Sequence, residues 1–514
     1  MLRQSDHLTE RLRCKKLEDK IMSAEDAAWL IKEGMTVAVS GFTPSGNPKA
    51  VPLAISRQVR EGERTLHINL LSGASTGKEI DNDFAELGII LHRYPYTTSK
   101  AFRNEVNGKL EHRNVAYMDQ HLGMMAQNTR YGFYGKIDYA IIEAVAIRED
   151  GGIIPTTAVG CSQTYLDLAE KVILEINLTQ SVGFEGIHDI YTIQDPPHRP
   201  PIELTYPGQR IGRTYLNCEP DKIAAVVISE CHENPRPLAK PDKTSCAIAG
   251  HIVDFLKKEA ASGGISPDQV PLQSGVGSVA NAVLSGLVDS DFHNLSLYSE
   301  VIQDGVLDLI DSGKAIFASG TSLSLSEDGM RRLMEHFDNY KDKLILRDSE
   351  ISNHAEVIRR LGVIAMNTAI EADIYGNINS SHMNGTDIYN GIGGSGDYAR
   401  NASITIFLTN STAKDGRISS IVPMVTHVDH PEHDVDVIVT EQGYADLRGK
   451  SPKERAALII EDCAHPDYRP QLRKYFHDAC EACNYSQTPH MLDRCFSFHL
   501  RLKETGSMLE RKML

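Results

Sequence analysis

Near-continuous apolar runs alternate with amphipathic stretches along most of the chain. The runs of the first half are MTVAVSGF at 35–42, LHINLLSG at 66–73, DYAIIEAVAI at 138–147 and KVILEIN at 171–177. Strands that are apolar at consecutive positions are typical of a sheet covered on both faces, and such sheets are mostly parallel. Ser23, in the pattern Ser-Ala-Glu-Asp, predicts a capped helix that ends by Gly34. The pattern therefore predicts an α/β fold.

A second series of the same kind follows a proline-rich interruption. Residues 193–208 contain five prolines, which favour neither helix nor central strand. After one more apolar run at 222–230, the second series has runs at 270–275, 294–300, 314–320, 363–373, 402–408 and 434–441, and a polar, helical tail from Pro452. We therefore expect two α/β domains with mostly parallel sheets, residues 1–230 and 231–514, and a helical C-terminal segment in the second.

Composition narrows the partners that the chain can have. The 514 residues include 69 acidic and 53 basic side chains, for a formal net charge of −16. Such a surface repels phosphate backbones and anionic lipids, which argues against nucleic acid or a membrane as the main partner. Nine cysteines, an odd number in a long chain, are typical of reduced thiols. The N-terminus shows no apolar signal segment, and no apolar run approaches 18 residues, so we expect a cytoplasmic protein.

Residues 270–305 carry the most informative pattern, which predicts strand, glycine-rich turn, helix and strand. Gly275, Gly277 and Ala280 form G-x-G-x-x-A after the first strand, and Glu300 ends the next strand, 25 positions after Gly275. A dinucleotide site would use the turn for a pyrophosphate and Glu300 for a ribose hydroxyl. Alternatively, the turn's N–H groups face a thioester and Glu300 reacts with it. A plain turn with a surface glutamate is the third interpretation, and this unit alone leaves all three open.

A second glycine-rich segment changes this balance. Residues 390–408 contain Gly391-x-Gly393-x-x-Gly396, but the following DYARNA and β-branched run predict a loop that leads into a strand rather than a helix N-terminus. Two such loops, 115 residues apart, are more natural as two donors to one site than as two nucleotide folds. Glycine lets backbone N–H groups approach a ligand closely, and converging N–H groups are what an oxyanion hole requires.

Six longer motifs then make the chain recognisable. They are GFTPSGNPKAVP at 41–52, QSGVGSVANAV at 273–283, LYSEVIQDGVLDLIDSGK at 297–314, SNHAEVIRRLGVIAMNTAIEADIYGNIN at 352–379, GIGGSGDY at 391–398 and EQGYADLRGKSP at 441–452. In this order they resemble the acetyl-CoA hydrolase/transferase family of class I CoA-transferases. The resemblance implies two NagB/RpiA-like domains, the second with the catalytic glutamate, in a homodimer that binds no metal or tight cofactor.

The resemblance also implies site residues and an activity. Glu300 matches the catalytic glutamate, Asn353 an asparagine near it, and the N–H groups of Val276 and Gly394 match the oxyanion hole. Positions that match contacts to coenzyme A are Gly275, Val276, Gly277, Ser278, Val279, Asn390, Gly394 and Lys414. We expect transfer of CoA between a short-chain acyl-CoA, such as succinyl-CoA, and a small carboxylate, such as acetate, through a γ-glutamyl-CoA thioester. A thioesterase with the same site, and a dinucleotide-binding oxidoreductase built on residues 270–305, are the alternatives.

Three further features favour other chemistry only weakly. The histidines at 427, 430 and 433 resemble the ligands of a metal site. Pro431 interrupts the run, however, and the run leads into a predicted strand, so the three side chains are not expected to gather around one ion. Cys480-x-x-Cys483 is a single pair in a predicted helix, more typical of structural thiols. The aspartates at 304, 308 and 311 follow Glu300 at helical spacing and predict a solvated helix face.

Overall fold

The computed structural model describes residues 10–110, 115–234 and 241–510. The chain divides into two compact units. One comprises the described residues of Met1–Pro237 with Leu297–Ile310 and Ile316–Leu361, and the other those of Leu238–Ser296, Asp311–Ala315 and Gly362–Leu514. This division differs from a single boundary after residue 230, and it places Glu300 in the first unit. The first nine residues, on which the expectation of no signal segment partly depends, lie outside the described residues.

The first unit contains a parallel sheet built from the apolar runs of the first half. Among the described residues its order is Ala116–Tyr117, Ile90–Tyr94, Ile68–Leu71, Thr36–Val39, Tyr139–Ile147, Lys171–Asn177 and Ile223–Ser229. Ile153–Pro155 is added antiparallel to Tyr139–Ile147. The predicted helix at Ser23 is present as Ala24–Ala28, with the Ser23 side chain accepting from the Asp26 N–H. No helix or strand lies between residues 190 and 219 of this described stretch, as the prolines predict.

A second group of strands, most of whose residues belong to the first unit, leads to Glu300. Its order is Leu295–Tyr298, Ala315–Gly320, Leu344–Arg347 and His188–Asp189, and the last three pair in parallel. The helices of this unit that follow Ala24–Ala28 are Ala50–Arg60, Lys78–Asp81, Asp83–Glu86, Lys100–Val106, Met125–Arg130, Ser162–Leu168, Asp304–Asp311, Glu327–Glu335, Phe337–Tyr340, Ser349–Ser352 and Ala355–Leu361. Apolar side chains of the first helices, such as Val51 and Ile55, share a buried cluster with Val37 and Val39 of the sheet.

The second unit repeats the α/β pattern. Its larger strands run in the order Leu272–Ser274, Ile364–Thr368, Ile404–Leu408, Val437–Thr440 and Gly443–Asp446, parallel except for the last pair. Its helices are Lys243–Ala261, Ser278–Val288, Ser395–Ala399, Pro452–Leu458, Arg469–Ala482 and Ser497–Thr505. Two short hairpins, His382–Met383 with Asp387–Ile388 and Thr412–Ala413 with Ile418–Ser419, and a small mixed sheet of Ile378–Asn379, Glu371–Asp373 and Ile421–Val422 connect these elements.

The helical tail is part of the core of the second unit. Tyr468, Leu472 and Phe498 of the tail are buried in one cluster with Phe407 and Ile438 of the strands. The predicted α/β class with mostly parallel sheets and a helical C-terminal segment is confirmed. Among the described residues, no helix is both long and apolar enough to cross a membrane.

Candidate active site

Glu300 lies where the backbone leaves one strand and enters another. The strand Leu295–Tyr298 ends two residues earlier, and Val301–Ile302 pairs in parallel with Ser322–Leu323. The Glu300 carbonyl accepts hydrogen bonds from the N–H groups of Thr321 at 2.7 Å and Ser322 at 3.2 Å. Because the main chain is held on both sides, the Glu300 side chain projects from a rigid position rather than from a loose loop.

The Glu300 carboxyl is half-buried and accepts a hydrogen bond from the side chain of Asn353. Asn353 Nδ2 donates to Glu300 Oε1 at 2.6 Å, and Asn353 is itself buried. Burial raises the pKa of Glu300 to about 7, while the hydrogen bond from Asn353 opposes that rise. The structure thus brings together the two residues that the resemblance assigns to the catalytic centre, and it leaves a carboxyl group close to half ionised at neutral pH.

The surroundings of this strand are apolar and are packed by the loop at 41–47. Thr43 Oγ1 hydrogen-bonds Ser322 Oγ at 2.9 Å, and Ser45 Oγ donates to the Leu323 carbonyl at 2.7 Å. Buried around this contact is a cluster of Phe42, Ala74, Leu122, Ala158 and Val301, with Tyr96 packed against it. Val301 directly follows Glu300, so this apolar cluster packs the backbone beside Glu300.

A buried charged cluster beneath this loop was not predicted. Lys49 Nζ lies 2.6 Å from Glu143 Oε2, Glu175 Oε1 accepts from the Lys49 N–H at 2.9 Å, and Glu233 Oε1 accepts from the Gly46 N–H at 2.8 Å. Burial raises the pKa of Glu175 and of Glu233. The sequence does carry a signal, because Glu143 and Glu175 interrupt otherwise apolar runs and lie next to each other in register on adjacent strands.

The first glycine-rich turn lies in the second unit and has the predicted form. Leu272–Ser274, Ser278–Val288 and Leu295–Tyr298 are strand, helix and strand, which confirms the predicted unit. The Gly275 N–H donates to the Met366 carbonyl at 3.0 Å. Gly277 has φ +118°, a backbone conformation in which a residue with a side chain would be strained. Val276, 40% exposed, lies at the tip of this turn.

The second glycine-rich loop differs from its prediction. A five-residue helix, Ser395–Ala399, begins directly after Gly394, so the expected loop that leads straight into a strand was wrong for these residues. Ser395 Oγ donates to the Ile392 carbonyl at 2.7 Å and lies 3.0 Å from His430 Nε2, which fastens the turn. Asn390 is held separately, since its N–H donates to the Ser381 carbonyl at 3.2 Å.

A cavity of the second unit contains two of the residues predicted to contact coenzyme A. It has a volume of about 590 Å³, and Val279, Thr409, Asn410 and Lys414 are among its lining residues. Lys414 is exposed on the hairpin between Thr412–Ala413 and Ile418–Ser419, with φ +48°. The described lining does not include Asn390 or Gly394.

The fold gives the three histidines different surroundings and places the cysteine pair at the end of a helix. His430 is buried beside Ser395, whereas His427 is partly exposed and His433 largely exposed. In residues 10–110, 115–234 and 241–510, no three His, Cys, Asp or Glu side chains are grouped as a metal site would require. Cys480 is buried in the helix Arg469–Ala482, and the Cys483 thiol donates to the His490 carbonyl at 3.2 Å.

The fold is shared with solved enzymes. The chain resembles 4-hydroxybutyrate CoA-transferase from Porphyromonas gingivalis with a TM-score of 0.64 and 19% identity, over 90% of this chain and 98% of that one. An α/β scaffold with a half-buried glutamate and two glycine-rich turns is the kind that covalent acyl-transfer chemistry can use.

The chain belongs to the acetyl-CoA hydrolase/transferase family. The N-terminal domain of that family matches residues 5–228 and the C-terminal domain residues 329–476. The chain is 50% identical to a succinyl-CoA:acetate CoA-transferase from Clostridium kluyveri, over 97% of this chain and 92% of that protein. It is 44% identical to an acetyl-CoA hydrolase from Candida glabrata, over 98% and 97%. The prediction of an enzyme of this family is therefore confirmed.

Proposed function

We propose that the protein transfers coenzyme A between a short-chain acyl-CoA and a small carboxylate by a ping-pong reaction through Glu300. Succinyl-CoA and acetate are the proposed pair, in line with the name of the Clostridium kluyveri relative. The observation that carries the proposal is the half-buried Glu300 carboxyl, whose pKa burial raises to about 7 and which receives the Asn353 amide at 2.6 Å. Such a carboxylate is weakly solvated and held in one place, as a nucleophile requires.

The reaction then runs through two kinds of covalent intermediate. The Glu300 carboxylate attacks the thioester carbonyl and expels the CoA thiolate, which leaves an acyl-glutamyl anhydride. The thiolate attacks the glutamyl carbonyl of the anhydride, releasing the first acid and forming the γ-glutamyl-CoA thioester. The second carboxylate attacks that thioester, and the same two steps in reverse give the new acyl-CoA and free Glu300. No proton is gained or lost overall, so the scheme requires no metal, tightly bound cofactor or general base.

Binding groups are proposed on the second unit. The N–H groups of Val276 and Gly394 would hold the oxyanion of each tetrahedral step, which is worth on the order of 10²–10³-fold per donor. Coenzyme A would contact the turn at 275–279, Asn390 and Lys414. Support comes from the cavity that Val279 and Lys414 both line, since an exposed ammonium suits a phosphate of the coenzyme.

Oligomeric state and location follow only from the resemblance and the composition. We propose a cytoplasmic homodimer. Light scattering of the purified protein coupled to size exclusion should give about twice the 56.8 kDa of one chain, and a mass of one chain would refute the dimer.

Intact-protein mass spectrometry tests the covalent step. After addition of succinyl-CoA, the protein should gain the mass of coenzyme A less water, and borohydride should convert the thioester at Glu300 into an alcohol. The variant Glu300→Gln should show neither change. The control Glu170→Gln alters an exposed glutamate paired with Lys136, and it should label like the wild type. Turnover without any modification of Glu300 would refute the proposal.

Hydrolysis is the second candidate, because the Candida glabrata relative is named a hydrolase. In that reaction water, rather than a second acid, attacks the glutamyl thioester at the same site. Release of free CoA without added acid, compared with acid-dependent formation of a new acyl-CoA, separates the two. We expect exchange with acetate to exceed hydrolysis, because burial of the Glu300 carboxyl limits the access of water.

A further inference from the structure

The short helix Ser349–Ser352 is the element that presents Asn353 to Glu300. Asn353 ends this helix, and its N–H donates to the carbonyl of Ser349 at 2.9 Å. The helix is buried along its length and is held at its end, where the Tyr298 hydroxyl donates to the Ile351 carbonyl and Thr321 Oγ1 donates to Ser352 Oγ at 2.8 Å. Four residues make too short a helix to be stable alone, so these tertiary contacts decide where Asn353 lies.

Glu350 links the same helix to Arg130, which lies 220 positions earlier in the chain. Arg130, at the end of the helix Met125–Arg130, donates through both terminal nitrogens to the two oxygens of Glu350, at 2.7 and 2.8 Å. Its Nε donates to Asp195 at 2.9 Å, so the guanidinium is itself fixed. The side chains of Arg130 and Glu350 are only 15% and 8% exposed. A two-bond, poorly solvated pair is far more rigid than a surface ion pair.

We propose that Arg130 is a positioning residue, which acts through Glu350 and the helix Ser349–Ser352 to keep the Asn353 amide on the Glu300 carboxylate. Arg130 touches neither Glu300 nor a substrate in this assignment. A shift of the helix by about 1 Å would lengthen the 2.6 Å contact beyond a good hydrogen bond. The carboxylate form of Glu300 would then lose its donor, and Glu300 would be harder to ionise.

Other titratable groups also face this helix. Asp348, at its N-terminus, has its pKa raised to about 8 by burial, and its carboxylate accepts from the Tyr191 N–H at 3.0 Å. The Cys161 thiol, 3.2 Å from Ser349 Oγ, has its pKa raised to about 12, also by burial. Burial raises the pKa of Tyr298 as well. The pKa of Asp348 lies close to that of Glu300, so the two carboxyl groups must be distinguished in any titration.

The test combines a direct titration with kinetics on the full-length protein. The titration of Glu300 is followed by the infrared carboxyl band that disappears in Glu300→Gln, and the band of Asp348 is assigned with Asp348→Asn. In Arg130→Met the Glu300 midpoint should rise by about one pH unit, as expected for loss of a hydrogen bond to a charged group. The kcat at pH 6 should fall about 10-fold and return close to wild type at pH 9, with the KM for acyl-CoA within about twofold.

Matched variants separate positioning from a loss of stability. Arg130→Lys keeps one charged donor, so its Glu300 midpoint should lie between those of the wild type and Arg130→Met. Arg13 donates two hydrogen bonds to Glu185 on the surface of the same unit, and Arg13→Met should leave the Glu300 midpoint unchanged. In an Asn353→Ala background, Arg130→Met should produce no further shift. Should Arg130→Met fail to fold, Glu350→Gln keeps the side-chain shape and should shift the midpoint in the same direction.

An unchanged Glu300 midpoint in folded Arg130→Met, with activity lower by the same factor at every pH, would overturn the inference. So would a full additional shift in the Asn353→Ala background. The kinetic arm rests on the proposed role of Glu300 as nucleophile, whereas the infrared titration does not. If the wild type forms no covalent adduct, the proposed function fails while the titration still decides whether Arg130 positions Asn353.

Discussion

Among the described residues, Lys49 is the positive side chain of the buried cluster that Glu143, Glu175 and Glu233 form, and its removal should lower the stability of the protein strongly. Its Nζ lies 2.6 Å from Glu143 Oε2, and the two side chains are 4% and 0% exposed. Although burial lowers the pKa of Lys49, the neighbouring glutamates, chiefly Glu143 and Glu233, hold it above its ordinary value. The variant Lys49→Met keeps the length of the side chain but leaves Glu143 without a counter-charge.

The size of the loss depends on pH. Removing one partner of a buried pair costs about 3–5 kcal/mol, so we expect that loss of stability at pH 7. A buried carboxyl group that loses its counter-charge can bind a proton, at about 1.4 kcal/mol for each pH unit above the ordinary glutamate value. Burial already raises the pKa of Glu175 and of Glu233, and the charge of Lys49 opposes that rise. Without Lys49 their folded-state pKa lies still further above the unfolded value, a contribution to stability that is present at low pH and lost as pH rises. The loss should therefore shrink to about 1 kcal/mol at pH 5.

Scanning calorimetry at a fixed heating rate measures this effect. At about 2 °C per kcal/mol for a domain of this size, the unfolding temperature at pH 7 should fall by about 6–10 °C. The control Lys136→Met removes a surface pair with Glu170, 62% and 54% exposed, and should cost at most about 1 kcal/mol. The double variant Lys49→Met/Glu143→Gln removes both charges of the pair and should recover part of the lost stability at pH 7. Equal losses for Lys49→Met and Lys136→Met, or an equal loss at pH 5 and pH 8, would refute the reasoning.

Three further predictions concern single side chains. Asn353→Ala removes the donor to Glu300, so the pKa of Glu300 should rise above about 7 and the rising limb of kcat/KM against pH should move up by about one unit. Glu105→Gln should raise the unfolding temperature at pH 9 but not at pH 5, because burial raises the pKa of Glu105 to about 8. The wild type loses about 1.4 kcal/mol of stability for each pH unit as the pH rises from the ordinary glutamate value to about 8. Gly212→Ala should cost about 1–3 kcal/mol in chemical unfolding, since its Cβ would lie 2.0 Å from the Ile190 carbonyl oxygen.

Each of these has an outcome that contradicts it. An unmoved rising limb in Asn353→Ala would mean that the amide does not stabilise the charged glutamate. A benefit of Glu105→Gln that is equal at pH 5 and pH 9 would exclude titration as its cause. For the glycine variant, Gly250→Ala is the control, because no atom lies within 4 Å of its added Cβ and the change should be neutral or stabilising. Equal effects at both glycines would remove steric overlap as the explanation.

The local elements could be predicted because their causes are local. The apolar runs became strands and the turn at 275–279 became a strand-to-helix connection, as periodicity and glycine chemistry indicate. The second glycine loop shows the limit, since a five-residue helix after Gly394 depends on the Ser395 contacts rather than on propensity. The aspartates after Glu300 show it too. Asp304 is buried, not solvated, because it accepts from the Ser326 N–H at 2.9 Å, whereas Asp308 is exposed and pairs with Arg332.

By itself, the sequence determined the α/β class, the family and the identity of the candidate nucleophile, because these depend on periodicity and on contiguous motifs such as SEVIQDG at 299–305. Only the tertiary structure decided the state of that nucleophile. The pKa of Glu300 depends on burial and on Asn353, 53 positions away, which in turn lies on a helix joined to Arg130. Long-range contacts of this kind leave no pattern along the chain, because desolvation and hydrogen bonding act between side chains that only folding brings together.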